Sequence, residues 1–428
     1  MERIAIISGL RTPMAKAGGK FKNLQADTLG SKLIREVMLR SPVGFDEVDE
    51  VIIGNVAQPI HAANIARVIA LRAGFPEETP AATVHRNCAS GMEAITTAAA
   101  RIHAGEGKVY LSGGVESMSN IPLVYSQKMT GLFEKLSKSK TALDRVHALL
   151  GFRPAFLKPV VGLMSGLTDP VSGLLMGSTA EVLARDFGIS REEQDEFSLQ
   201  SHQKAQVAME SGRFSQESMA LLYDDFKGAL LDFDDGIRKG QTLEKLARLR
   251  PFFDKRNGTV TAGNSSQITD AAAAVIVMSE SEAQERGLSP LGYMRAYSYA
   301  GLDPKRMGLG PVFATHDLFE QTGISMKDIQ LVEINEAFAA QVIACLKAFD
   351  SKIFASTHFN STEAVGAIDP AILNVNGGAI ALGHPVGMTG TRLVLSMLHE
   401  LRNQDLQRGL ATLCIGGGQG AALLLEVE

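Results

Sequence analysis

Four side chains in this sequence have types and settings suited to covalent and proton-transfer chemistry. Cys88 stands in Arg86-Asn87-Cys88-Ala89-Ser90-Gly91-Met92, where an Ala-rich stretch that reads as a helix begins. A helix N-terminus offers unpaired N–H groups and a positive partial charge, which favour the nucleophilic thiolate. The small neighbours leave room for a carbonyl to reach the sulfur. The same residue fits a buried structural thiol equally well, because free cysteine packs readily in cores. His384 lies in Gly383-His384-Pro385, between a glycine-flanked apolar run and a helix expected from about Gly387 to Leu401. An imidazole there can take a proton from a thiol or donate to an oxyanion, or it can simply cap the helix. Cys414 ends an apolar strand that enters Gly416-Gly417-Gly418. Glycine turns expose N–H groups able to hold an oxyanion, and a second thiol can act as acid or base toward carbon. Its alternative is a small apolar strand residue. Asn335 follows the run Leu331–Ile334. Strand ends are common site positions in α/β sheets, so its amide either positions a water or caps a helix. Cys345, inside Ala339–Phe349, reads as a core helix residue.

These residues need a scaffold. Short β-branched runs bounded by glycine recur at Ile4–Ser8, Val51–Gly54, Val109–Gly113, Ala274–Met278, Leu331–Ile334, Leu410–Cys414 and Ala421–Val427, with helix-like stretches between many of them. That alternation predicts an α/β fold with largely parallel sheets. The ends of the chain echo each other. Phe45 to Asn55 gives an acidic turn, a strand and an Asn, and Met326 to Asn335 repeats the form. Each is followed by a helix and then a strand ending in glycines. The reading is an internal duplication: residues 1–119 with 251–278 form one half and 279–428 the other, with 120–250 inserted. The insert should carry helices at Thr179–Asp186 and Arg191–Ser211, the second capped by Ser190.

Bulk properties narrow the function. A chain of 428 residues exceeds one ordinary core. A net charge of −5 without a basic stripe speaks against nucleic acid as a partner. Three sparse cysteines argue against a disulfide framework and for a reducing compartment. No CxxC or HExxH supports a metal site. The first residues read as a strand rather than a signal peptide, and no apolar run is long enough to span a bilayer. The expected location is cytoplasmic.

Taken together, the motifs resemble the thiolase family. The resemblance rests on Arg11-Thr12-Pro13, Asn87 to Gly91, Gly113 to Met118, Met176 to Glu181, Gly258 to Ser266, Asn335 to Phe338, Gly383-His384-Pro385 and Cys414-Ile415-Gly416, in family order over nearly the whole chain. It implies two α/β halves packed as a layered α-β-α-β-α core with a long helical loop domain inserted. It implies CoA-dependent cleavage of a 3-ketoacyl-CoA, or the reverse Claisen condensation, as in fatty acid β-oxidation. Cys88 would be the acylated nucleophile, His384 its base, and Cys414 the acid or base at carbon. Asn335 would hold a water with His384 over the enolate oxygen, and the N–H groups of Cys88 and Gly416 would form the second oxyanion hole. Ser266, Phe338, Ala337 and Met176 would line the CoA and substrate path. CoA and acyl-CoA would be substrates, with no metal and no other cofactor. A homodimer or homotetramer is implied.

The insert, including Ser126-Gln127-Lys128-Met129, resembles that of β-subunits in fatty-acid oxidation multienzyme complexes, which work with a hydroxyacyl-CoA dehydrogenase/hydratase subunit. Those subunits usually carry His where this chain has Asn335. Leu175 replaces a His found in some short-chain biosynthetic relatives, which points away from strict acetoacetyl-CoA specificity. The apolar region 149–175, with Arg153 and Lys158, fits peripheral membrane contact, partner docking, an acyl-tunnel wall or an oligomer contact. The rival functions are an acetyl-CoA C-acetyltransferase, a ketosynthase, which the second thiol disfavours, and a non-catalytic acyl-CoA-binding protein.

Overall fold

The computed structural model describes residues 2–224 and 227–428. It divides into two compact units, residues 121–168 and the remainder. Apart from a separate two-stranded sheet of Leu221–Asp224 and Ala229–Leu231, the larger unit is built on a ten-stranded sheet. Its order from one edge is Leu331–Ile334, Arg408–Ile415, Gln419–Glu426, Gly292–Gly301, Ile4–Arg11, Thr269–Ser279, Val109–Ser117, Glu50–Gly54 and Ala81–Val84, with the short Ala15–Lys16 strand beside Thr269–Ser279.

The expectation of largely parallel pairing is corrected. Leu331–Ile334 with Arg408–Ile415, and Glu50–Gly54 with both of its neighbours, pair in parallel; the remaining ladders of this sheet run antiparallel. The reason is long-range. Thr269–Ser279 inserts between Ile4–Arg11 and Val109–Ser117, and Gln419–Glu426 folds straight back on Arg408–Ile415 through the glycine turn. Neither arrangement shows in local periodicity. Two strands also lacked a sequence signal. Gly292–Gly301 carries Arg and Ser among its apolar residues, and Ala81–Val84 is a half-buried edge of four residues.

Side-chain alternation along the central strands sorts the core into layers. Ala421, Leu423 and Leu425 face inward with Ala411, Leu413 and Ile415, onto the helices Ser90–Ala104 and Thr389–Asn403. Leu410, Cys414, Ala422 and Leu424 face outward, toward Gly310–Thr322 and Ala339–Phe349. In the first half Val51, Ile53, Ala274 and Ile276 face outward onto Ala26–Arg40 and Ile65–Ala73. Two helices are therefore enclosed between two sheet faces, with further helices outside each, giving the α-β-α-β-α layering.

The helices expected near 179 and 191 form over Met176–Asp186 and Arg191–Glu210. Ser190 caps the second, its hydroxyl accepting from Glu193 N–H at 3.1 Å while the Glu193 carboxylate accepts from Ser190 N–H at 2.6 Å. The smaller unit holds helices Gln127–Lys138 and Ala142–Leu150 and a short antiparallel pair, Leu123–Val124 with Val160–Val161. Among the described residues no helix is long and apolar enough to cross a membrane.

Candidate active site

The Cys88 turn is pinned from both sides. Asn87 adopts φ of 42°, a left-handed conformation that Asn tolerates better than most residues. Its Nδ2 donates to the Gly416 carbonyl at 2.7 Å. Ser90 Oγ donates to Asn87 O at 2.7 Å and accepts from Arg86 N–H at 2.9 Å. The helix begins at Ser90, two residues beyond the thiol. Cys88 is half-buried, and the N–H groups of Gly416 and of Cys88 itself hydrogen-bond toward its sulfur. The expected thiolate is corrected. Burial pushes the Cys88 pKa above its ordinary value, and the two N–H groups offset this only in part. The resting group is a thiol and needs a base.

Cys414 is buried one residue from the end of its strand, and its pKa is pushed well up, chiefly by burial and further by the Cys88 and Cys345 sulfurs. The Cys88 turn is held to this strand end, since Asn87 bonds the carbonyl of Gly416, two residues beyond Cys414. Cys345 is buried too, its thiol donating to Gly308 O at 3.1 Å and pushed up to about 12 by burial.

His384 lies ahead of the helix Thr389–Asn403, on the turn where the sequence placed it. The helix Ala379–Leu382 ends before it, and the next begins at Thr389, so the imidazole sits in the loop between. Its Nδ1 lies 2.6 Å from Thr389 Oγ1, whose hydroxyl donates to Pro385 O at 3.1 Å. A hydroxyl has one proton to give. With that proton on Pro385 O, Thr389 must accept from Nδ1–H, which leaves the Nε2 lone pair free. Nε2 is buried and has no hydrogen-bond partner. Burial, reinforced by Arg392, holds the imidazole neutral with a pKa of about 4.

The Asn335 side chain is fully buried with neither amide atom partnered, while its N–H donates to Thr412 O, two residues before Cys414. Unpaired buried polar atoms are costly and call for a ligand or water. The segment 264–267 stitches this loop to the His384 loop. Ser266 N–H donates to Ala337 O at 2.9 Å, Ala339 N–H to Asn264 O at 2.9 Å, and His384 N–H to Gln267 O at 3.0 Å. Phe338 is buried with its ring edge-on to Phe253 at 6.1 Å, and a methyl at Gly416 would fall 3.2 Å from the Met176 sulfur. Ala337 is buried as well.

Glu116 is a part of this region that sequence reasoning left without a role. Its carboxyl accepts from Gly387 N–H at 2.8 Å, Ala57 N–H at 3.0 Å, Val56 N–H at 3.2 Å and Asn55 Nδ2 at 3.2 Å. Burial raises its pKa to about 7 against those donors. Its signal was an acid inside an otherwise buried glycine strand. Thr389 and Gln267 had none, being common polar residues in ordinary contexts.

Residues 4–281 match the family model for the thiolase N-terminal domain, and 288–427 that for the thiolase C-terminal domain. The chain is 40% identical over its full length to a 3-ketoacyl-CoA thiolase of Yersinia enterocolitica and to one of Pectobacterium atrosepticum, covering 97% of each. Among solved structures, the acetyl-CoA acetyltransferase of Bacillus anthracis superposes with TM-score 0.86 at 38% identity, covering 100% of this chain and 99% of that one. The human mitochondrial 3-ketoacyl-CoA thiolase superposes with TM-score 0.86 at 35% identity and the same coverage, and it has also been solved in complex with CoA. With both domain models matched in order and full-length relatives at this identity, the chain belongs to the thiolase family.

Proposed function

We propose that this protein is an acyltransferase that cleaves 3-ketoacyl-CoA with CoA, giving acetyl-CoA and an acyl-CoA shortened by two carbons, through an acyl-enzyme on Cys88. The observation that carries the reading is the convergence of the Gly416 and Cys88 N–H groups on the Cys88 sulfur, with Asn87 holding that turn to the Gly416 carbonyl, two residues beyond Cys414. Cys88 attacks the 3-keto carbon and its proton passes to His384 Nε2. The C2–C3 bond breaks and its electron pair stays with the acetyl-CoA enolate. Cys414 protonates that carbon and becomes a thiolate. The thiol of incoming CoA then attacks the acyl-enzyme and gives its proton to Cys414, while the departing Cys88 sulfur recovers a proton from His384. Every group returns to its starting state.

Charge develops on oxygen twice. The N–H groups of Cys88 and Gly416 suit the thioester intermediates, and His384 with a water on the free Asn335 amide suits the enolate. Such donors typically contribute about 3–4 kcal/mol each. Dividing the reaction at a covalent thioester replaces one high barrier by two lower ones. Ser266, Phe338, Ala337 and Met176 are assigned to the CoA and acyl path, and CoA acts as substrate.

Thiolysis assayed across short, medium and long 3-ketoacyl-CoAs tests the reading. Turnover over a range of lengths is expected. Activity confined to acetoacetyl-CoA would move the assignment to acetyl-CoA C-acetyltransferase, the activity named for the Bacillus anthracis neighbour. Cys88→Ala should abolish the acyl adduct seen by mass spectrometry. Cys414→Ala should retain transacylation and lose carbon–carbon chemistry; normal turnover by that variant would remove its proton-transfer role.

The same reading extends to a cytoplasmic homodimer or homotetramer, a hydroxyacyl-CoA dehydrogenase/hydratase partner, and peripheral membrane contact through 149–175, where Leu149, Leu150, Leu157 and Val171 are exposed. Light scattering and liposome co-sedimentation test the assembly and the membrane contact.

A further inference from the structure

We propose that Gln267 is a positioning residue for His384: its carboxamide and its main-chain carbonyl together fix the loop that carries the imidazole. The inference rests on the reading of His384 as the base that activates Cys88.

The helix Ala379–Leu382 has only four residues, so its last carbonyls have no partners within the helix. Gln267 Nε2 supplies them, donating to Ile380 O at 3.0 Å and to Ala381 O at 3.2 Å. The same nitrogen reaches Gly236 O at 2.9 Å. Two amide protons thus serve three carbonyls through a shared bond. The chain then turns through Gly383 at φ +113°, where a Cβ would lie 2.3 Å from Thr269 Cγ2. His384 follows, and its N–H donates to the Gln267 carbonyl at 3.0 Å. One residue therefore holds the imidazole-bearing loop on both sides of the glycine.

Gln267 also ends the segment whose Asn264 carbonyl and Ser266 N–H bond to the Asn335 loop. The stretch 264–267 spans from one candidate catalytic group to the other, and Gln267 is its contact on the His384 side. Its side chain is half-buried and adjoins loop backbone rather than the reacting atoms. A carboxamide is required because all three partners are acceptors. A carboxylate of the same length would face three carbonyl oxygens with nothing to donate, and a thioether of the same length would offer no donor.

The test compares Gln267→Glu and Gln267→Met with wild type and with His384→Ala, scoring thiolysis of acetoacetyl-CoA per folded molecule. Because small misplacements of catalytic groups cost up to about 100-fold, kcat should fall roughly 10- to 100-fold in both Gln267 variants, with KM for CoA within about threefold. Adding Gln267→Met to His384→Ala should lower the residual rate no further, since a residue acting through another is not additive with it. A merely structural role would multiply the two losses. Wild-type kcat in both Gln267 variants, or full additivity in the double variant, overturns the proposal while leaving His384 in place. Wild-type turnover by His384→Ala would instead overturn the reading beneath it.

Discussion

In the proposed reaction His384 acts from a neutral resting state, and so does Cys88. Burial holds the imidazole at a pKa of about 4 and pushes the thiol upward, so at pH 7 the two form no thiolate–imidazolium pair. That proposal has the proton move during attack, into the lone pair left free on Nε2. A pH profile separates this state from a preformed ion pair. Alkylation of Cys88 by iodoacetamide should keep rising above pH 9 in the free enzyme, because the reactive thiolate forms only above its raised pKa. A plateau reached near neutral pH would show a resting thiolate and sink this account. The same burial ties His384 to stability. Its folded pKa lies below the 6.5 of an unperturbed histidine. The unfolded chain therefore binds the extra proton between pH 6.5 and 4, and stability falls as pH drops through that window. Glu116 runs the other way: with a folded pKa near 7, it removes stability as pH rises from 4.5 to 7.

At the scale of elements, Arg11 shows what local sequence can and cannot carry. It ends the Ile4–Arg11 strand with no solvent exposure. Its Nε donates to Glu217 at 2.7 Å, and its Nη1 and Nη2 to Asp234 at 2.8 and 2.9 Å. Arg213 adds a second cation on Glu217 at 3.1 Å and on Glu400 at 2.6 Å, which carries the network to the helix Thr389–Asn403. Burial alone would raise Glu217, but the two guanidinium groups outweigh it and hold its pKa at about 2. Arg11→Met should leave Glu217 and Asp234 short of a partner and cost about 3–5 kcal/mol in urea unfolding, whereas adding Glu217→Gln and Asp234→Asn should restore most of it. A loss below about 1 kcal/mol in the single variant would show the network is not coupled to folding. The Arg-Thr-Pro motif was visible in the sequence, but its acidic partners lie 206 and 223 residues away. Cys88 and Cys414 stood out because thiols are rare here and glycine follows within three residues, and His384 because it stands between Gly383 and Pro385. Gln267 acts through acceptors that only folding brings to it, and the position of the Thr269–Ser279 strand depends likewise on partners remote in the chain.

At the scale of the whole molecule, the duplication read from the chain ends becomes a repeated strand order. Running outward from the centre, Ile4–Arg11, Thr269–Ser279, Val109–Ser117 and Glu50–Gly54 correspond to Gly292–Gly301, Gln419–Glu426, Arg408–Ile415 and Leu331–Ile334, with the same pattern of antiparallel and parallel pairs. The glycine turn at 416–418 occupies the place from which the first half departs on its long excursion between Ser117 and Thr269. Cys88 and His384 likewise precede corresponding central helices, so the spacing of those helices bears on the spacing of the chemistry. The helices meet through reciprocal glycines. A Cβ on Gly91 would sit 2.7 Å from Thr391 N, and one on Gly390 would sit 2.5 Å from Met92 N. Backbone cannot yield there as a flexible side chain would. Gly390→Ala should therefore cost roughly 1–3 kcal/mol, as overpacking does. It should also lower thiolysis at least about tenfold by displacing one loop against the other. Cys88 alkylation should stay near wild type, because Asn87 and Ser90 pin its turn independently of the second helix. Full thiolysis with an unchanged unfolding midpoint would mean that the separation of the two helices does not govern the site.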